Sequence, residues 1–223
     1  MTTFVLIPGA GGQARFWRRV VPELERHGHS AVAVDLPSDD DAAGLEAYAD
    51  AVARAVDGRG PVTVVGQSMG GLTAPLVCRR RPVEAIVLVN AMIPRPGETG
   101  GDWWTATGQD AAQAAYWAQL GLAGEADDSA VYFHDVPDDV VAEEMAQPFG
   151  QSGRPLEDPW PLATWPDVPT RVLAGRDDRL FPLDFQRRVA AERLGLRAEE
   201  VPGGHCAALS RPRELAEALV VPR

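Results

Sequence analysis

Five short runs of continuous apolar, β-rich residues recur along the chain: "FVLI" (4–7), "AVAV" (31–34), "VTVV" (62–65), "AIVLV" (85–89) and "RVLA" (171–174). A strand with one wet face would alternate with polar residues, and these do not. They therefore predict fully buried strands of a parallel sheet. A sixth run, "AEEV" (198–201), carries the same signal more weakly. Between the runs lie stretches with helical period: "FWRRVVPELERHG" (16–28), "LEAYADAVARAV" (45–56), "LDFQRRVAAERLG" (183–195) and "PRELAEALV" (212–220). Strand alternating with helix predicts an α/β fold, a doubly wound, mainly parallel six-stranded sheet flanked by helices. In such sheets the functional loops gather at the carboxyl ends of the strands.

The alternation fails across 97–165. This stretch holds five of the six tryptophans, many Pro and Gly residues, and two helical patterns at 110–121 and 138–147. An interruption of that length between two strands of one sheet predicts a small helical lid inserted into a core made of 1–96 and 166–223. Trp103, Trp104, Tyr116, Trp117 and Phe133 are its candidate pocket-lining residues, any one of which has packing as the blander role. His134 and Asp135 read as a surface pair, with a polar contact in the lid as the alternative.

The 223 residues carry a formal net charge of −11 with no basic stripe, which argues against nucleic acid and anionic membrane as partners. No apolar run approaches the length of a membrane span, and "MTTFVLIPGAGG" reads as a first strand instead of a secretory leader, so a cytoplasmic location is expected. Every basic residue is arginine. Without lysine, Schiff-base chemistry and a P-loop lysine are excluded. Cys78 and Cys206 lack metal-ligand spacing and are expected as thiols, and the acidic pairs read as solvated surface. Neither a metal nor a cofactor is expected. Oligomeric state is left open.

Gly66-Gln67-Ser68-Met69-Gly70 follows the run "PVTVV" and precedes "MGGLTAPLVCRR". A serine at a sharp strand-to-helix turn is presented for attack, and its neighbours must be small. Pro75 should kink the helix that follows. A serine hydroxyl needs a base to take its proton and an acid to orient that base. Both are expected at later strand ends. "GRDDRLFP" offers Asp177 and Asp178 after the fifth run, and "PGGHCAAL" offers His205 after the sixth. The N–H after the nucleophile, from Met69, and one from the loop after the first strand, Ala10 in "IPGAGG", are candidate oxyanion donors.

With these motifs in order, the chain resembles the α/β hydrolase superfamily along nearly its whole length. It looks most like the methylesterase and hydroxynitrile lyase branch, through "FVLIPGAGGQARFW", "LVNAMIPRPGE" (88–98) and "YFHDVPDD" (132–139). The resemblance implies six parallel strands and a small lid, with Ser68 as nucleophile, Asp178 as acid and His205 as base. Asp177 is then a neighbour. It also implies hydrolysis of a carboxylic ester or lactone with a small, apolar acyl substrate. Lyases of the branch use a lysine, which this chain lacks. Pro8 stands where the branch usually has histidine, and Pro8-Gly9-Ala10-Gly11-Gly12 resembles the loop of type II thioesterases, which makes an acyl thioester the alternative substrate. A non-catalytic ligand-binding protein on the same scaffold is the reading from another class.

Overall fold

The apolar runs become strands: β1 (Thr3–Ile7), β2 (Ser30–Ala33), β3 (Val62–Gln67), β4 (Val83–Val89), β5 (Thr170–Gly175) and β6 (Glu199–Val201). The computed structural model describes residues 1–122, 127–147 and 150–221. All six strands pair in parallel in one sheet of order β2-β1-β3-β4-β5-β6. Successive side chains alternate faces. Val5, Ile7, Val64, Ile86, Leu88, Val172 and Ala174 therefore enter one apolar layer. Phe4, Leu6, Val65, Val87, Val89, Leu173 and Val201 enter the other. Two covered faces explain the continuous apolar runs. β6 is three residues long and buries only Val201, which is why its signal was weak.

The helices are α1 (Val21–Arg26), α2 (Leu45–Ala55), α3 (Gly70–Thr73), α4 (Gly100–Thr107), α5 (Gln109–Gln119), α6 (Asp128–Tyr132), α7 (Asp138–Met145), α8 (Arg154–Glu157), α9 (Leu183–Leu194), α10 (Ala207–Ser210) and α11 (Pro212–Val220). The periodic stretch 16–28 is not one helix. A 3-10 turn at Ala14–Trp17 precedes α1, which begins at Val21 with Pro22 in its first turn. Proline lacks an N–H and is tolerated there because that N–H has no intrahelical partner. The same logic acts after Ser68, where α3 makes one turn and the chain continues as 3-10 helix from Ala74 through Pro75. No helix among the described residues is long and apolar enough to cross a membrane.

Helices α4 to α8 all fall between β4 and β5. Tryptophans peg this inserted segment to the core through their indole N–H groups. Trp103 donates to the Ile93 carbonyl at 3.0 Å, Trp160 to Leu72 at 3.1 Å, Trp117 to Arg179 at 2.8 Å, and Trp165 to the Thr170 hydroxyl at 2.9 Å. A buried ion pair adds to them. Arg193 of α9 donates to Glu98 at 2.9 Å and to the Ile93 carbonyl at 2.7 Å, with the two side chains 2% and 9% exposed. Arg193→Met is expected to cost about 3–5 kcal/mol, because it strands the Glu98 carboxylate away from water. Urea unfolding measures this, and pairing it with Glu98→Leu should restore much of the loss.

Candidate active site

Ser68 leaves β3 with φ +51°, in the left-handed region that only glycine enters freely. Such a residue costs roughly 1–2 kcal/mol, so its surroundings must hold it there. Its N–H still donates to Val89 on β4 at 3.1 Å, while its carbonyl accepts from Gly71 at 3.0 Å and Met92 at 2.9 Å. The glycines of the motif make room. A Cβ on Gly66 would sit 2.7 Å from the Gly70 carbonyl oxygen, and one on Gly70 would sit 2.7 Å from that of Pro8.

Asp178 follows β5 and is fully buried. Its Oδ1 accepts from the backbone N–H groups of Leu180 (2.8 Å) and Phe181 (2.9 Å). Its Oδ2 lies 2.9 Å from His205 Nδ1 and accepts from Gln186 Nε2 at 3.3 Å. His205 Nε2 in turn lies 3.0 Å from Ser68 Oγ. Three strand ends thus bring one hydroxyl, one imidazole and one carboxylate into an unbroken hydrogen-bonded line. Asp177 faces outward and pairs with its neighbour Arg176 at 3.1 Å.

Several residues that hold this line were not singled out from the sequence. Asn90, at the end of β4, is wholly buried with φ +46°. Its amide donates to the carbonyls of Gly204 (3.0 Å) and His205 (3.1 Å), and its oxygen accepts from Gly175 N–H at 2.6 Å. It therefore ties three strand ends together. Gln67 adds a bond to the His205 carbonyl at 3.3 Å. The imidazole lies edge-on between Phe181, with centroids 5.1 Å apart, and Tyr132, at 5.7 Å. The available signal for Asn90 was its place as the first polar residue after a strand of seven.

The loop after β1 presses against the serine. A Cβ on Gly9 would lie 2.9 Å from Ser68 Cβ, so only glycine fits this approach. Gly11 N–H is taken by Gln151 Oε1 at 2.9 Å and Gly12 N–H by the Gly9 carbonyl at 3.1 Å. Among the described residues, the N–H groups of Ala10 and Met69 have no hydrogen-bond partner.

The aromatic residues of the inserted segment divide. Trp103 is fully buried and packs on Phe181, Phe185 and Trp104. Trp104 also meets Phe181, with centroids 5.7 Å apart. Trp117 is half-buried and bonded to Arg179. Phe133 packs in a small separate cluster with Cys206 and Leu209. Tyr132, the residue before it, takes the place beside the imidazole. His134 and Asp135 are not the surface pair expected from the sequence. His134 Nε2 lies 2.9 Å from the Asp177 carbonyl oxygen, and Asp135 accepts from Gly204 N–H at 2.9 Å. The two residues thus reach the loops that carry Asp178 and His205 respectively.

Cys78 and Cys206 are free thiols. Burial pushes the Cys206 thiol well up, and the nearby carboxylates of Asp178, Asp135 and Glu144 push it further, so it stays protonated beside His205. Among the described residues no group of His, Cys, Asp and Glu is arranged to hold a metal ion.

The sequence profile of the α/β hydrolase family matches residues 4–218. A rice protein (Oryza sativa), "Probable esterase PIR7A", is 37% identical over 108 residues, a stretch that is 43% of this chain and 41% of that protein. The matched stretch thus spans less than half of this curated relative. Among solved structures, a pyrethroid hydrolase from Sphingobium faniae JZ-2 superposes with a TM-score of 0.75 at 22% identity, covering 98% of this chain and 95% of that one. The methylesterase MES16 from Arabidopsis gives 0.75 at 18% identity, covering 99% and 98%. Both likenesses are likenesses of fold.

Proposed function

The chain belongs to the α/β hydrolase family, and on that premise we propose that it is a serine hydrolase that cleaves a carboxylic ester or lactone through an acyl-enzyme on Ser68, His205 and Asp178. The observation that carries this reading is the continuous path from Ser68 Oγ through both imidazole nitrogens to the buried carboxylate, at 3.0 and 2.9 Å. The esterase names among similar proteins point the same way.

Each group then has one task. His205 Nε2 takes the hydroxyl proton as Ser68 Oγ attacks the acyl carbonyl. Asp178, its Oδ1 already occupied by two N–H groups, offers Oδ2 to Nδ1, holding the tautomer and stabilising the imidazolium that forms. The Ala10 and Met69 N–H groups receive the oxyanion, each worth roughly 3 kcal/mol of the barrier. His205 next protonates the leaving group, and water releases the acyl-enzyme by the same steps in reverse. Phe181 and Tyr132 flank the imidazole, with Trp104 behind Phe181. The half-buried Tyr132 and Trp104 form an apolar wall that suits an apolar acyl group, while the fully buried Phe181 supports the imidazole. Trp103, Trp117 and Phe133 support this wall from the inserted segment, which acts as the lid.

An acyl thioester is the second reading, favoured by the Pro8–Gly12 loop, and it uses the same steps. Turnover of p-nitrophenyl esters of increasing acyl length, set against acyl-CoA esters of the same lengths, separates the two. Turnover that a fluorophosphonate blocks by labelling Ser68 is the expected result, and the preferred length sizes the pocket. Thioester turnover alone would move the assignment to a thioesterase. Labelling elsewhere, or tight binding without turnover, would overturn the hydrolase reading in favour of a binding protein.

A further inference from the structure

Helix α5 is weakly apolar and fully buries only Gln109, while most of its alanines face outward. What it does present is a polar stripe. Gln109, Gln113 and Trp117 recur every fourth residue and so share one face. All three donate to the loop that follows Asp178. Gln113 Nε2 and Trp117 Nε1 reach the Arg179 carbonyl at 3.1 and 2.8 Å, and Gln109 Nε2 reaches the Leu180 carbonyl at 2.6 Å. The other ends of those same two peptide groups are the N–H groups of Leu180 and Phe181, which grip Asp178 Oδ1.

We propose that α5 is a positioning element for the acid, its Gln109, Gln113 and Trp117 side chains fixing the two peptide groups that hold the Asp178 carboxylate. The proposal rests on the reading of Asp178 as the acid of the triad. A peptide group is a rigid plane, so fixing its oxygen fixes the direction of its N–H. Hydrogen bonding at the oxygen also polarises the N–H at the other end and strengthens the bond it donates. With Oδ1 held by two such donors, the carboxylate cannot rotate, and Oδ2 stays on His205 Nδ1. The third carbonyl of the loop, Phe181, is held from the core side by Gln186 at 2.7 Å. The acid is thus aimed jointly by a core residue and by the inserted segment. None of the three α5 side chains needs to touch substrate for this.

The test uses Gln113→Met and Trp117→Phe, singly and together, which remove donors while keeping apolar bulk. Gln113 is half-buried, and methionine is a good helix former, so this variant retains the fold. With p-nitrophenyl butyrate, kcat is expected to fall about 10–100-fold, the scale of a slight misplacement in the catalytic line, while KM stays within about twofold. The downfield proton resonance of the His205–Asp178 hydrogen bond should move upfield or broaden in the same variants. Arg188→Ala is the control. It frees the Thr107 carbonyl at the end of α4, to which Arg188 Nη2 donates at 2.6 Å, and uncovers the Phe185 ring 5.4 Å from its guanidinium, while removing no hydrogen bond to the acid loop. It should lower the melting temperature at unchanged kcat.

Wild-type kcat and resonance in the stripe variants would overturn the proposal and leave α5 a docking helix. An equal loss of kcat in Arg188→Ala would overturn it too, since general loosening would then suffice. These outcomes differ from failure of the triad reading itself, in which Asp178→Asn would keep its kcat.

Discussion

Ser68→Ala is expected to lower kcat for p-nitrophenyl esters about 10⁶-fold, the scale at which loss of an activated serine abolishes the covalent route. The variant retains the apolar wall and the free N–H groups of Ala10 and Met69, so a residual acceleration of about 10³–10⁴ over the uncatalysed reaction should remain. Substrate binding should change little. Stability gives this prediction a second arm. Position 68 has φ +51°, and alanine meets the same steric penalty there as serine. Glycine does not. Ser68→Gly should therefore be equally inactive yet more stable than Ser68→Ala by about 1 kcal/mol, part of the relieved strain being offset by the freer unfolded chain. Urea unfolding of the two variants measures the difference. Equal midpoints would mean that the turn is not strained at Ser68.

Asp178→Asn is expected to lower kcat about 10⁴-fold, and Asp177→Asn to leave it nearly unchanged. In Asp178→Asn the amide oxygen keeps the two N–H bonds from Leu180 and Phe181, which places the new NH₂ where Oδ2 stood. A donor now faces His205 Nδ1, so the imidazole proton moves to Nε2, toward Ser68, and the base is blocked by its own tautomer. The fold is expected to persist, because the backbone bonds to the acid loop do not change. Asp177 makes an exposed pair with Arg176, a contact worth little. Steady-state kinetics of the two variants decides the assignment. An inactive Asp177→Asn beside an active Asp178→Asn would place the acid one residue earlier.

The sheet was legible because each strand must be apolar on both faces, and continuous runs such as "AIVLV" have little other use. That Ser68, Asp178 and His205 come together was legible from their places at three strand ends. Helix boundaries were less so, because proline divides periodic patterns without erasing them. Thus 16–28 reads as one helix although α1 begins only at Val21. The parts of the site that were illegible act through backbone atoms. Asp135 accepts from the Gly204 N–H, one residue before His205. Gln109 and Gln113 donate to carbonyls of the acid loop. Nothing in the residue type of Gly204 or Leu180 advertises such a partner. Tyr132 and Phe133 are adjacent aromatics of similar size, and only the turn of α6 decides which one meets His205.

The strand order also sets a sequence of events during synthesis. β1 to β4 are complete by residue 89, and they carry Ser68 with them. The next strand to pair with β4 is β5, where Ile86 meets Thr170. At ribosomal rates of ~5–20 residues per second, β4 waits roughly ten seconds as an open apolar edge. Through that interval β4 lacks the partner it has in the finished sheet, and an unpaired edge strand is a template for another chain. Ser68 is therefore in place before Asp178 and His205 have been made. On the triad proposed above, Ser68 would become reactive only when the segment carrying Asp178 and His205 closes the sheet, and an incomplete chain would hold an inert serine.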